Sequence, residues 1–243
     1  MDAATAARLL DLNKQFYQTF GREFASTRGS LQPGVRRVLG RLKGNESILD
    51  LGCGNGGVGH ALARRGHVGR YIGLDFSQTL LEEVRCPLEV PSIHFIQADL
   101  TAPDWEAPFS ASSFDVVLAF AVLHHIPGMD LRLEILRKSH ALLQPGGRFV
   151  HSEWQFLNSA KLRGRLQPWT AAGILPGSVE AEDYLLDWRQ GGRGLRYVHA
   201  FGEAELEALA AASRFEVRET FHMDGEGGRL GLYQVWQKVS PPA

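Results

Sequence analysis

Cysteine is scarce in this chain: Cys53 and Cys86 are the 2 in 243 residues. One lies in a glycine-rich stretch and the other directly precedes Pro87, so neither a disulfide framework nor a cysteine-ligated metal cluster is expected. Long hydrophobic runs are missing as well. The longest, Val116 to Leu123, is far shorter than the roughly 20 apolar residues that carry a helix across a bilayer. The opening residues, MDAATAARLLDLNKQFY, have no basic segment leading into an apolar core, so a signal peptide is not expected and a cytoplasmic location is. Nor is there an excess of charge. A formal net charge of -1 gives no bulk attraction to nucleic acid or anionic membrane, and any basic surface must be local. What is present is the balance of an ordinary globular protein, 44% hydrophobic and 22% charged, at a length that supports one large domain with a full core.

Helical spacing of Leu9, Leu10, Phe16, Tyr17 and Phe20 predicts a first helix over Ala6 to Phe24, and Pro33 opens a second over Leu31 to Arg41. An alternation follows. Strands are expected at Ser47 to Leu51, Tyr71 to Leu74, Ile93 to Ala98, Phe114 to Phe120 and Arg148 to Trp154. Helices are expected at Gly57 to Arg65, at Ser77 to Arg85 with Ser77 as N-cap, and at Asp130 to Leu143. The unbroken apolar run of Phe114 to Phe120 suits a central strand covered on both faces. Alternation of this kind implies an α/β fold with a doubly wound, mostly parallel sheet. The tail differs: a helix over Glu203 to Ser213, then strands Phe215 to Phe221 and Gly231 to Val239 joined by the turn-rich DGEGGR. That ending predicts seven strands in all, the last one antiparallel. Between Trp154 and Gly194 periodicity is weak, and the segment is expected to be irregular and functional or mobile.

The first strand stops at Asp50 and Leu51, and Gly52, Gly54, Gly56 and Gly57 follow within six positions. In a doubly wound sheet ligands bind beyond the carboxyl ends of the strands, where glycine lets the backbone turn sharply and lets a ligand approach without a Cβ in the way. A lone glycine pattern says little more; two further acids say which ligand. Asp75 closes the second strand, where it can accept from ribose hydroxyls, and Asp99 closes the third, where it can accept from an adenine amino group. Asp50 is placed to hold a cationic amino-acid moiety, directly or through water. With no basic residue in the loop to meet a pyrophosphate, the set describes S-adenosylmethionine better than a dinucleotide. Cys53, Asn55, Phe76, Leu100 and Phe120 complete the expected cofactor contacts, and no metal site is expected.

DLGCGNG, GLDFS, QADL, FDVVLAFAVLHHI and LLQPGGRF, in this order and spacing, resemble the Rossmann-like class I S-adenosylmethionine-dependent methyltransferases over roughly Glu46 to Trp154 and again after Tyr197. That resemblance implies a methyl-transfer enzyme releasing S-adenosylhomocysteine. It also implies an arrangement of the whole chain, 1–243, as one domain: a helical lid at 1–45, the cofactor core at 46–153, a substrate-side insertion at 154–196 and a C-terminal helix and strands at 197–243.

Further stretches resemble one subfamily, the tRNA methyltransferases that esterify the carboxymethyl group of a modified wobble uridine. In that subfamily a serine, a threonine and an arginine close the N-terminal segment, matched by Ser26, Thr27 and Arg28, and an Arg-Tyr-Tyr-His stretch precedes the last helix, where this chain has Arg196, Tyr197, Val198 and His199 with one tyrosine missing. His124, His125, Trp154 and Asp183 also fit. The resemblance implies tRNA and a small zinc-binding activator protein as partners. A carboxylate acceptor, with a pKa of about 4, needs no general base; it needs donors that fix it, and Arg28, Arg196 and His199 suit that role. An amine or hydroxyl acceptor would instead use His124 or His125 as base. Two other functions stay open at this point: a methyltransferase for O, N or C atoms of small molecules, and a non-catalytic S-adenosylmethionine-binding subunit. The run Lys161, Arg163, Arg165, with Arg189 and Arg193, offers either a solvated loop or a phosphate-tracking patch.

Overall fold

The computed structural model describes residues 1–27, 29–84 and 90–239. The chain runs α1 (Ala3–Ser26), α2 (Pro33–Leu39), β1 (Ile48–Leu51), α3 (Gly57–Arg64), β2 (Tyr71–Asp75), α4 (Gln78–Glu82), β3 (Ile93–Gln97), β4 (Phe114–Phe120), α5 (Met129–Leu142) and β5 (Leu143–Trp154). It continues through α6 (Ala160–Arg163), β6 (Leu166–Gln167), β7 (Asp183–Trp188), β8 (Gly194–His199), α7 (Glu203–Ala212), β9 (Phe215–Met223) and β10 (Gly231–Lys238).

Seven of these strands form one sheet in the order β3-β2-β1-β4-β5-β10-β9. The first five are parallel, while β10 runs antiparallel to both β5 and β9. The seven-stranded, doubly wound sheet with an antiparallel last strand is therefore present as the sequence predicts. Alternation along each strand splits the core between two faces. Leu49 and Leu51 of β1 pack with Ile135 and Leu136 of α5 and with Leu206 and Leu209 of α7. Ile48, one residue out of phase, packs on the other face with Val35, Val38 and Leu39 of α2 and Val58 and Leu62 of α3. Side chains of period two on strands that are covered on both sides leave no solvent face for polar residues. In β1 the exception is Asp50, at the end that meets the glycine loop.

The stretch from Trp154 to Gly194 is less irregular than expected. β6, β7 and β8 form a second, antiparallel sheet in that order. Leu185 and Leu186 of β7 are each 1% exposed, but a buried acid, Asp183, and a half-buried one, Asp187, break the alternation that marks a strand in sequence. β8 runs unbroken across the expected boundary at 196/197, which cuts through the middle of this strand.

Helix α1 fastens this second sheet to the first. Its buried stripe includes Leu9, Phe16 and Tyr17, and a polar residue, Asn13, sits in that stripe. The Asn13 amide treats β8 as a neighbouring strand would: Oδ1 accepts the Tyr197 N–H at 2.9 Å and Nδ2 donates to the Tyr197 carbonyl at 3.1 Å. Nδ2 also reaches the His125 carbonyl at 3.3 Å. Removing it leaves buried backbone groups unpaired, at about 1–3 kcal/mol. Asn13→Ala is thus expected to lower the melting temperature by several degrees, given roughly 2–4 °C per kcal/mol at this size. An unchanged melt would mean that the helix holds the sheet by its aromatic packing alone.

Candidate functional site

A cavity of about 1360 Å³ opens at the carboxyl ends of β1, β2, β4 and β5, walled by α1 and α2. It exceeds the roughly 300–1,000 Å³ of a pocket for one small ligand, so two reactants have room in it.

The glycine loop forms one wall. Gly52, Gly54 and Gly56 have φ of +67°, +57° and +74°, a left-handed region that L side chains rarely adopt. At Gly52 a Cβ would also stand 2.6 Å from a Val122 methyl, whereas at Gly54 it would meet nothing within 4 Å. The loop thus turns tightly at its first glycine and leaves open space over its second. Gly52, Cys53, Gly54 and Asn55 line the cavity; Gly56 does not, and serves as the N-cap of α3.

Asp75 is the structural centre of this wall. Its Oδ2 accepts the Gly54 N–H at 2.8 Å and its Oδ1 the Ser77 N–H at 2.9 Å. One carboxyl therefore shapes the loop while facing the cavity, with lone pairs left for ribose hydroxyls. Burial raises its pKa above the ordinary value, and the two backbone N–H groups only partly offset that. Asp50 is elsewhere. It is 2% exposed, does not line the cavity, and accepts the Tyr71 hydroxyl at 2.6 Å. Burial, opposed by that hydroxyl and reinforced by Asp75, pushes it up to about 7. Its position is behind the loop, where it braces Tyr71. Asp99, Leu100, Phe76 and Phe120 do line the cavity. Asp99 has a partner that sequence did not suggest, Lys14 of α1 at 2.7 Å, besides Thr101. Burial would raise its pKa, but the bonds to Lys14 and Thr101 prevail and lower it.

The residues predicted to handle the acceptor separate. Arg28 lies outside the described residues. Arg196 and His124 line the cavity, and His199 does not. The Arg196 guanidinium, in a side chain left 5% exposed, stands over four rings: Phe16 at 4.9 Å, Trp154 at 5.3 Å, Trp188 at 5.4 Å and Phe24 at 5.8 Å. Aromatic faces stabilise a cation while leaving its fork of N–H donors directional. Trp154 and Trp188 are thus ring partners of Arg196; Trp169 packs instead beside Leu9 and Tyr197.

His124 and His125 share a short 3-10 turn after β4. Ala121 just before it has φ of +59° and donates to the Ser152 carbonyl and hydroxyl at 2.9 and 3.1 Å, a strained turn of the kind often found at ligand sites. Nδ1 of His124 is 2.8 Å from Glu153 Oε2, and Glu153 Oε1 is 2.9 Å from Nδ1 of His151. Burial pushes Glu153 well above the carboxylate range and pushes His151 down to about 3. Glu153 thus links His124 and His151 through one carboxyl at the base of the cavity. His125 is oriented by β8 and α1. Its Nδ1 lies 3.1 Å from the Tyr197 carbonyl, which can only accept, so Nδ1 carries the proton and Nε2 meets the Tyr17 hydroxyl at 3.0 Å.

His199 belongs to a separate buried cluster. It bonds Asp183 at 2.7 Å and Glu205 at 3.0 Å, and Tyr197 donates its hydroxyl to Asp183 at 2.8 Å. Arg132, fully buried, reaches Glu180 at 3.1 Å and the Tyr197 oxygen at 3.1 Å. Glu180, Asp183 and His199 bring ligand atoms within 4.8 Å of one another, but the Arg132 guanidinium already supplies the positive charge there. The cluster ties β7 and β8 to α5 and α7. Burial would lower the His199 pKa, yet the bonds to Asp183 and Glu205 outweigh it and raise it. A group with a raised folded-state pKa contributes fully below its unfolded value near 6.5 and loses that contribution as pH rises through the folded value. Thermal stability is expected to fall over that alkaline step, and His199→Gln to flatten it; equal pH profiles for the two proteins would contradict the assignment.

Sequence reasoning missed Lys14, Tyr17 and Glu153 as wall residues. One signal was available: Asn13, Lys14 and Tyr17 place polar atoms on the stripe that Leu9, Phe16 and Phe20 mark as buried.

Comparison with known proteins agrees with this fold. The methyltransferase domain family matches residues 48–147. The putative methyltransferase of Encephalitozoon cuniculi is 32% identical over 204 residues, covering 84% of this chain and 86% of that protein. The tRNA (carboxymethyluridine(34)-5-O)-methyltransferase of Mus musculus is 28% identical over 182 residues, 71% of this chain, which spans only 25% of that longer protein. Among solved structures, the Burkholderia thailandensis 1,6-didemethyltoxoflavin-N1-methyltransferase with bound S-adenosylhomocysteine shares the fold at a TM-score of 0.67 and 20% identity, covering 99% of this chain and 92% of that one. With the doubly wound sheet in the expected order and a relative that matches over most of both chains, the chain belongs to the methyltransferase domain family and takes S-adenosylmethionine as its cofactor.

Proposed function

We propose that this methyltransferase esterifies a carboxylate, the carboxymethyl group of a modified wobble uridine in tRNA. The observation that carries the reading is Arg196. A buried guanidinium in an aromatic box, on the wall of a cavity that also holds the glycine loop, is a receptor for a planar anion. The rings of Trp154 and Phe24, which line the same cavity, suit a nucleobase. The likeness to tRNA carboxymethyluridine methyltransferases over 71% of the chain supports the same acceptor.

When bound, S-adenosylmethionine supplies a methyl group activated on a sulfonium. The task of the chain is orientation and exclusion of water. Asp75 and the open backbone at Gly54 hold the ribose and amino-acid side. Arg196 fixes one carboxylate oxygen and aligns the other for in-line attack. Tyr17 of α1, bonded to His125, closes the wall over the acceptor. A carboxylate is already ionised at neutral pH, so no proton has to move. The test is methyl transfer to tRNA bearing carboxymethyluridine, with and without the small zinc-binding partner that the resemblance implies. Absence of methyl ester in both conditions would end this reading.

A second reading draws on His124. A histidine on the cavity wall whose Nδ1 is held by a buried carboxyl is the arrangement a general base takes. It would suit a hydroxyl or amine of a small molecule. The two differ in their pH profile: the small-molecule reaction requires His124, and the esterification does not.

A further inference from the structure

One stretch of the cavity wall carries charges to which the proposed function gives no role. The cavity extends as a groove between α2 and α3, over Leu39 and Ala61, and Arg36, Arg64, Arg65 and His60 line it. The three arginines are exposed. Other arginines on this side of the molecule are engaged: Arg37 and Arg41, on or just after α2, both pair with Glu219, and Arg70 donates to Ser47 and Ser113. Among the described residues, no hydrogen bond or ion pair holds the side chain of Arg36, Arg64 or Arg65. Three like charges along one groove repel one another unless an anion lies between them, and a groove with an apolar floor and a cationic rim concentrates anions.

We propose that this groove is where the RNA backbone runs, with phosphates flanking the acceptor nucleotide seated on Arg36, Arg64 and Arg65. The proposal rests on the reading of tRNA as the acceptor-bearing molecule, and it commits to one stretch of surface. Of the basic residues beside the second sheet, Lys161 and Arg163 of α6 and Arg193 between β7 and β8 are then solvated surface, apart from Arg163, which donates to the Leu157 carbonyl, while Arg189 pairs with Asp187. The chain has a net charge of -1, so affinity for RNA has to come from a local row of this kind.

The experiment is tRNA binding as a function of salt for the full chain and for two variants, Arg36→Gln/Arg64→Gln/Arg65→Gln and Lys161→Gln/Arg163→Gln/Arg193→Gln, with melting temperatures as the check on folding. Removing one cation that neutralises a phosphate lowers the slope of log affinity against log salt by about 0.7 to 0.9. The groove variant is expected to lose about 2 in slope, and the second-sheet variant nothing. If wild-type protein binds tRNA and the groove variant keeps the wild-type slope, the groove is not the RNA path while the carboxylate reading stands. A loss confined to the second-sheet variant overturns it in the same way. If wild-type protein shows no salt-dependent tRNA binding, with or without a partner protein, the tRNA reading itself falls. Weaker capture of an acidic protein by the groove variant, with RNA binding unchanged, would assign the row to a protein partner and overturn the proposal.

Discussion

Asp75→Ala is expected to weaken S-adenosylhomocysteine binding by roughly ten- to a hundredfold. Two losses combine. The ribose hydroxyls lose a charged acceptor, which is worth about 1.5–3 kcal/mol. The Gly54 and Ser77 N–H groups lose the carboxyl that shapes the loop at 2.8 and 2.9 Å, so the loop itself is expected to loosen. Asp75→Asn separates the two effects. An amide keeps one acceptor for Ser77 but turns an N–H₂ group toward either the Gly54 N–H or the ribose, so its affinity should fall nearly as far while the melt changes less. Calorimetry with S-adenosylhomocysteine measures both. An affinity within twofold of wild type for Asp75→Ala would place the ribose elsewhere.

Arg196→Ala is expected to have the opposite signature: cofactor affinity close to wild type, and turnover on a carboxylate acceptor reduced by about 2–5 kcal/mol in transition-state free energy, the range for deleting one partner of a buried charge pair. Arg196→Lys should recover little. A lysine keeps the charge but loses the planar fork, and it cannot stack between Phe16 and Trp154, which stand 4.9 and 5.3 Å from the guanidinium carbon. Truncation also leaves space amid four rings, so some destabilisation is expected, and the melt should be read beside the kinetics. A large fall in cofactor affinity with Arg196→Ala would move this side chain from the acceptor to the cofactor. Full turnover on a carboxylate acceptor would remove the basis of the proposed function.

The parts of the fold that sequence carried are those in which local pattern and tertiary role coincide. β4 was legible because a central strand buried on both faces has to be apolar throughout. The loop was legible because three positive-φ positions within five residues require glycine. Asp75 was legible because a strand end in a parallel sheet is where a carboxyl can face a ligand. The second sheet was hidden for the complementary reason. Its strands carry Asp183, Asp187, Arg196 and His199, which obscure the period of two; Asp183 and His199 are accommodated by Arg132 and Glu205, Arg196 by rings of α1 and β5, and Asp187 pairs with Arg189.

The amino-acid sequence by itself determined the doubly wound sheet, its antiparallel ending, the loop and the acids that mark an adenosyl cofactor. It could do so because those features depend on residues within a turn or two of one another. Tertiary structure alone decided which arginine, histidine and tyrosine reach the cavity. Arg196 and His199 are three positions apart on one strand, yet the first enters an aromatic box contributed by α1, β5 and β7, and the second is drawn into an acid cluster contributed by β7 and α7. A side chain's chemistry is set by its neighbours in space, and for Arg196 most of those neighbours, Phe16, Phe24 and Trp154, come from segments far away in the chain.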